Sequence, residues 1–336
     1  NEIKNIFNNG SVLFRHGFEG IRKNIYKVRS FEENFKKKIK SKFSLAVTSG
    51  TSALRVALEV LDLKPNDEVI TQSFTFVATV EAIIESGAKP VCTDIDKTLN
   101  MDPNDLKKRI TKNTKVVIVV HMLGTPARLD EIKKICKKNN IILIEDTAWG
   151  CGGKYKDKYL GTIGRMGTFS FDFAKSLTTG EGGMIVFQNK KDYLKAKAWH
   201  DHGHENNPKV PRWKDTRSSS GFNYRMNELQ GAVGIAQLKK LNKIIMLQRQ
   251  NAKKIINKIK NLPGIELRDS DNNCFETFDS LIILFKNKNL AQKCRINLNK
   301  KLINTKILPE AKTWHFAKYW DHMPELALSH KKNLKV

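Results

Sequence analysis

The sequence is short of the residues that would place it in an oxidising compartment or a lipid bilayer. Its 336 residues include five cysteines, Cys92, Cys136, Cys151, Cys274 and Cys294, odd in number and scattered. They show no metal-ligand spacing, so no metal is expected, and they predict reduced thiols in a cytoplasmic protein. No apolar run approaches the roughly 18 residues of a membrane span; the longest, such as 116–120 and 281–285, are strand-sized. The first residues have no apolar core of the kind a secretion signal needs. Internal repeats and low-complexity linkers are absent. Acidic residues are also scarce, 34 against 60 Lys and Arg, for a formal net charge of +26. Such an excess can mark a nucleic-acid or anionic-membrane partner. Here it is carried by lysines on helical stretches such as 35–42, 133–140 and 253–260, not by one basic arm. That distribution reads as solvated faces, and neither nucleic acid nor membrane is expected as a partner.

What is present is an alternation of short apolar strands with helical segments. After a polar arm and an amphipathic helix, strands are predicted over 44–47, 68–70, 90–94, 115–121 and 141–145. Helices are predicted between them over 52–61, 75–85, 102–110 and 129–139. This order implies an α/β fold with a mostly parallel sheet flanked by helices. Beyond Gly150 a glycine-punctuated β region ends in a strand near 182–187. Residues 200–220, polar and holding Gly203, Pro208 and Pro211, read as a long functional loop. A helix over 226–241 closes a large domain, 1–241. From 242 a Lys-rich helix and further β/α segments predict a smaller C-terminal domain, 242–336.

Three features carry chemistry. Thr48-Ser49-Gly50-Thr51-Ser52 joins a strand to a helix; Gly50 lets a ligand approach the backbone, and the helix N-terminus favours a phosphate. The same residues also make an ordinary N-cap. Asp146 ends a parallel strand, where open α/β sheets bind ligands, although a cap or salt bridge is an equal reading of an acid there. Lys175 follows the aromatic strand Phe169-Ser170-Phe171 and precedes the turn Gly180-Glu181-Gly182-Gly183. A lysine so confined is partly desolvated, its pKa is lowered, and it can attack carbonyl groups; a lysine that merely snorkels to solvent is the alternative.

With these features in this order, the chain resembles the DegT/DnrJ/EryC/StrS sugar aminotransferases. The resemblance runs from about residue 31 to 241, and more weakly beyond. It rests on residues 49–54, Ser73-Phe74-Thr75-Phe76-Val77-Ala78-Thr79, Gly87-Ala88-Lys89-Pro90-Val91 and Glu145-Asp146-Thr147-Ala148. Residues 164–171, Lys175, 180–183 and Gly221-Phe222-Asn223-Tyr224-Arg225-Met226 complete it. It implies the fold type I architecture of pyridoxal 5'-phosphate (PLP) dependent transferases. It implies that Lys175 forms the Schiff base with PLP and shuttles the proton, and that Asp146 pairs with the ring nitrogen. Phe76 is implied to stack on the ring, and Gly50, Thr51 and Ser170 to hold the phosphate. Asn223 is implied to reach the phosphate of a neighbouring subunit, making a homodimer with shared active sites. The family's dehydratases carry His in place of this lysine, so Lys175 favours amino transfer. Trp149 departs from the family's usual Gln or His.

The resemblance further implies glutamate as amino donor and a keto or aldehyde sugar, often nucleotide-linked, as acceptor. The stretch 200–208, Pro211-Arg212, the stretch 215–220 with Arg217, Trp314-His315-Phe316 and Trp320-Asp321-His322 are similar to the branch that forms 8-amino-3,8-dideoxy-manno-octulosonate, an aminated sugar acid of lipopolysaccharide. An anionic sugar acid needs cationic anchors, and Arg212, Arg217 and His204 are the candidates.

Overall fold

The computed structural model describes residues 1–326 and contains eleven α-helices and twelve strands among them. The strands are β1 (Phe43–Val47), β2 (Glu68–Gln72), β3 (Lys89–Thr93), β4 (Thr114–Val120), β5 (Ile142–Asp146), β6 (Lys154–Tyr155), β7 (Lys158–Tyr159), β8 (Met166–Ser170), β9 (Gly183–Phe187), β10 (Ile265–Leu267), β11 (Cys274–Phe275) and β12 (Ile283–Phe285). Seven of them form the central sheet in the order β1-β9-β8-β5-β4-β2-β3. Every neighbouring pair is parallel except the two that involve β9, which runs antiparallel to both β1 and β8. The sheet is therefore mostly parallel, as expected, with one reversed strand.

The helices before the middle of the chain are α1 (Glu2–Phe7), α2 (Glu19–Arg22), α3 (Lys27–Ile39), α4 (Gly50–Glu59), α5 (Ala78–Glu85), α6 (Pro103–Arg109), α7 (Leu129–Lys138) and α8 (Lys190–Trp199). They cover both faces of the sheet, and the strands bury both of theirs. In β9, Ile185 and Phe187 enter a core with α4, α5 and α8, while Met184 and Val186 enter the opposite core with Phe31 and Phe35 of α3. Burial on both faces is what makes such strands near-continuous apolar runs.

The expected helix over 226–241 and the Lys-rich helix after it are one element, α9 (Glu228–Ile259). Nothing in 241–243 (Leu-Asn-Lys) breaks a helix, and Asn227 with Gln230 makes a capping box at its start. The expected division at 241/242 falls inside α9, whose first half packs on α3 and whose second half meets the C-terminal part through Arg249 and Phe275. That part holds the β10–β12 pair and α10 (Lys288–Lys300), then α11 (Lys312–His315); the last ten residues of the expected second domain lie outside the described residues.

The parallel strands end at one edge. Val47, Gln72, Asp146 and Ser170 stand there, with Gly183 starting β9 opposite both Val47 and Ser170. The loops leaving this edge build the site.

Candidate active site

At the end of β1, Ser49 caps α4. Its hydroxyl accepts from Ser52 N–H at 3.1 Å and its carbonyl from Ala53 N–H at 3.0 Å. The ordinary capping reading is thus correct for Ser49 and Ser52. It leaves Gly50 and Thr51, whose N–H groups no acceptor takes among the described residues, at the positive end of the helix. Ser170, at the end of β8, lies directly against Gly50: a Cβ built on Gly50 would come within 2.8 Å of Ser170 Cβ. Glycine is required there by close approach, and the structure brings all three expected phosphate ligands to one place.

Asp146 is buried at the end of β5. Its carboxylate accepts from Thr79 Oγ1 at 3.0 Å and from Ala148 N–H at 3.1 Å. Burial pushes its pKa up, against these hydrogen bonds and the Lys175 charge. Among the described residues no cation makes a direct ion pair with it. A buried acid so placed calls for a cationic partner, and a protonated ring nitrogen supplies one; the residues present fit PLP. The neighbouring Glu145 has a different task. It faces away, 3.1 Å from His121 Nε2, and accepts from the N–H groups of Gly161, Ile163 and Gly164 at 2.6–2.8 Å. The acidic pair thus splits into an anchor for the 161–164 loop and a group for the site.

Lys175 is half-buried, its Nζ 3.3 Å from the centre of the Trp149 ring. Burial pushes its pKa down, while Asp279, Asp172 and Asp146 oppose that. The amine therefore lies between carboxylates and an aromatic face, as a confined nucleophile should, and unlike a snorkelling lysine. Trp149 meets the lysine with its ring. Phe76 is 43% exposed and stands 5.9 Å from the His315 ring, with an open face as a stacking residue needs.

Two residues of this site come from the far C-terminal part. His315 is buried with Nδ1 unpartnered, and its carbonyl accepts from Thr75 N–H at 3.0 Å. Burial lowers its pKa, and the Lys306 and Lys175 charges act the same way. Asp279 accepts from Ser176 Oγ at 3.2 Å. His315 lies in a stretch already singled out; Asp279 has no motif around it, and only the folded chain brings it to Lys175.

The proposed sugar-acid anchors are placed differently. Arg212 is not a free cation: its Nη1 and Nη2 donate to the buried Asp201 at 2.9 and 2.5 Å, and Nη1 also to Asn206. Arg225 donates to the same carboxylate at 2.6 Å. His204 Nδ1 stands 3.1 Å from Asp215. Arg217 alone of the set remains exposed without an ion pair among the described residues, at an open cavity of about 530 Å³ with His204, Arg212, Trp213 and Asp215. Asn223 is exposed, next to Asp201 in an isolated bridge.

Comparison with known proteins agrees with this geometry. Residues 20–333 match the DegT/DnrJ/EryC1/StrS aminotransferase family, and the chain belongs to that family. It is 35% identical to GDP-perosamine synthase of Escherichia coli O157:H7, over 83% of this chain and 75% of that one. The first curated relatives are matched over 64% and 75% of their own lengths. Among solved structures, GDP-4-keto-6-deoxy-D-mannose-3-dehydratase of Escherichia coli with bound hydrated PLP gives a TM-score of 0.80 at 27% identity, covering 98% of this chain and 88% of that one. 3-Amino-5-hydroxybenzoic acid synthase gives 0.80 at 27% identity, covering 89% and 77%. The fold is that of PLP-dependent fold type I enzymes, as the sequence implied.

Proposed function

We propose that this chain transfers an amino group from glutamate to a keto or aldehyde sugar, with PLP as cofactor. The observation that carries this reading is Lys175 beside Trp149, at the same sheet edge as a buried Asp146 that has no ion pair among the described residues. PLP, when bound, supplies the electron sink for the negative charge that develops at the substrate carbon. Asp146, fixed by Thr79 and Ala148, would hold the ring nitrogen. Gly50, Thr51 and Ser170 hold the phosphate with backbone N–H groups and hydroxyls. Lys175 would hold the cofactor through its Nζ and move protons at that atom; the Trp149 ring, 3.3 Å from Nζ, limits where the amine can go. A lysine at this position supports amino transfer over the dehydration named for one structural relative.

The acceptor we favour is a nucleotide-linked keto sugar, since the relatives include GDP-perosamine synthases from three bacteria. Exposed Trp213 with Arg217 at an open cavity suits a base and a diphosphate. The sugar-acid reading, 8-amino-3,8-dideoxy-manno-octulosonate formation, rests on Arg217 alone once Arg212 is bound to Asp201. We also read the enzyme as a cytoplasmic homodimer serving surface-polysaccharide or lipopolysaccharide synthesis, with the smaller unit beginning around α9. The deciding experiment gives the purified protein glutamate and a panel of acceptors, including GDP-4-keto-6-deoxy-D-mannose and the 8-oxo octulosonate. Amination of the nucleotide sugar is the expected result. Amination of the sugar acid alone would replace the favoured acceptor, and loss of glutamate-dependent amination of every acceptor would remove the aminotransferase reading.

A further inference from the structure

A second buried carboxylate, Asp279, reaches the site from the C-terminal part of the chain. The segment 276–282 returns from β11 across the large domain and seats on the turn Met122–Gly124. Thr277 N–H donates to Gly124 O at 3.3 Å, and Thr125 Oγ1 donates to Glu276 at 2.7 Å. Gly124 has φ +82°, and a Cβ there would run into Thr277 and come within 3.3 Å of Asp279 Cβ. Both facing turns hold a bulky residue in the left-handed region, Leu123 at φ 56° and Phe278 at φ 53°. Such residues are strained there, and strain of this kind persists where the surroundings enforce it. The residue that the Phe278 conformation delivers is Asp279.

Its carboxylate is fixed. Oδ1 accepts from Ser176 Oγ at 3.2 Å, and Ser176 in turn accepts from Gln248 Nε2 of α9 at 3.1 Å. Ser176 follows Lys175 directly in the chain. Among the described residues no Lys, Arg or His makes a direct ion pair with Asp279. Burial pushes its pKa up, against the Lys175 charge and the hydroxyls of Ser176 and Ser280. The Trp149 ring lies against the Lys175 Nζ, the charges of Asp279, Asp172 and Asp146 act on the lysine, and His315 feels the charges of Lys175 and Lys306. All three carboxylates, Asp279 first among them, raise the lysine's pKa against the effect of burial.

We propose that Asp279 is a positioning residue for Lys175: through its bond to Ser176 and through its own charge it sets where the released ε-amine rests. The proposal rests on the reading of Lys175 as the cofactor lysine. A lysine that carries a proton from one atom to another holds it in passing as an ammonium, and desolvation against Trp149 disfavours that charged form. Asp279 offsets the desolvation without forming a tight pair that would hold the amine away from the cofactor. Asp146 is left free for the ring nitrogen.

The test is the pH dependence of Lys175 acylation, read by competitive acetic anhydride labelling and peptide mapping on the full chain freed of cofactor. Asp279→Asn should lower the labelling midpoint of Lys175 by about one pH unit, and Asp279→Glu should restore most of it. Asp172→Asn should lower it less. If Asp279→Asn loses cooperative thermal unfolding, Asp279→Ser, which still offers Ser176 a partner, takes its place with the same expected fall. An unchanged midpoint overturns the proposal, as does an equal fall in the Asn and Glu variants, which would mean packing and not charge. Borohydride fixation in the holoenzyme keeps the two ideas separate. Label on another lysine ends the reading of Lys175, whereas label on Lys175 with an unmoved midpoint ends only the role of Asp279.

Discussion

At the scale of single residues, the site depends on giving each acid a different neighbour. Glu145 accepts three backbone N–H groups and faces His121, so its charge is used within the fold. Asp146, one residue on, points to the other side of the strand. It accepts one hydroxyl and one N–H, which leaves lone pairs for a cationic ring. Asp146→Asn keeps the shape and removes the charge. The rate should fall on the order of 10²-fold, about 3 kcal/mol of transition-state stabilisation. Steady-state turnover measures it, with thermal unfolding to show that the fold survives; a rate near wild type would remove Asp146 from the electron-sink role. The places of Lys175, Asp146 and Gly50 at the sheet edge were legible in the sequence because each sits in a local pattern of strand end, turn and helix start, whereas Phe76 was marked out only by the family resemblance. Asp279 was not legible, since its position depends on a return from the C-terminal part that no local pattern encodes. The pairing of Arg212 with Asp201 was not legible for a similar reason. The sequence shows an arginine in a polar loop, and only the folded loop turns it onto Asp201.

At the scale of elements, strand and helix positions were legible to within a few residues, because apolar runs and caps are local signals. The reversed direction of β9 was not, since the 182–187 strand looks the same whichever way its neighbours run. The join between α3 and α9 has its own signature in Gly231 and Gly234. A Cβ on Gly231 would meet Val28 N at 2.6 Å and Val28 Cα at 2.8 Å, both backbone, whereas one on Gly234 would meet the Phe31 ring. A ring can tilt and a helix backbone cannot. Gly231→Ala should therefore destabilise by about 1–3 kcal/mol despite the gain in helix propensity, and Gly234→Ala by less. Urea midpoints compare the two, and an unaffected Gly231→Ala would show that the helices do not approach so closely.

A second element-scale device ties the N-terminal segment to the long loop. Asp201 is buried beneath Arg212, Arg225 and His16, whose Nε2 lies 3.2 Å away. Burial alone would raise the Asp201 pKa; the neighbouring His16 imidazole with the hydrogen bonds and charge of Arg212 overrides it and holds the carboxyl well below its usual range. His16 is pushed down to about 4, first by burial and then by the Arg15 and Arg212 charges, against Asp201. Its folded value lies below its unfolded one near 6.5, so between those values the unfolded chain binds the extra proton. Stability from His16 is present above pH 6.5 and is lost as pH falls towards 4, on the order of 3 kcal/mol in full. Urea unfolding at pH 7.5, 6 and 4.5 should show the loss, and His16→Phe should flatten it. An equal slope in that variant would move the effect to other groups.

For the whole molecule, the question is what covers the side chains that this single chain leaves in water. Phe173, two residues before Lys175, is 78% exposed; Phe222, next to Asn223, is 57% exposed, and Trp213 is 84% exposed. Large apolar groups so close to a reaction site are normally covered by a partner surface. Asn223 itself is exposed, its Oδ1 taking only a 3.4 Å contact from Arg225 N–H. A second copy docked here would cover the aromatics and bring its Asn223 to this chain's phosphate site at Gly50 and Ser170. Two inactive variants then rescue each other. In a mixed dimer of Lys175→Ala and Asn223→Ala subunits, one site carries both lesions and the other carries neither. Equal mixing with full exchange should restore about a quarter of wild-type turnover, because half the dimers are mixed and each has one whole site. Turnover is followed while subunit exchange is checked with two distinguishable tags. No recovery after proven exchange would mean that Asn223 acts within its own chain, and the exposed aromatics would then need another partner.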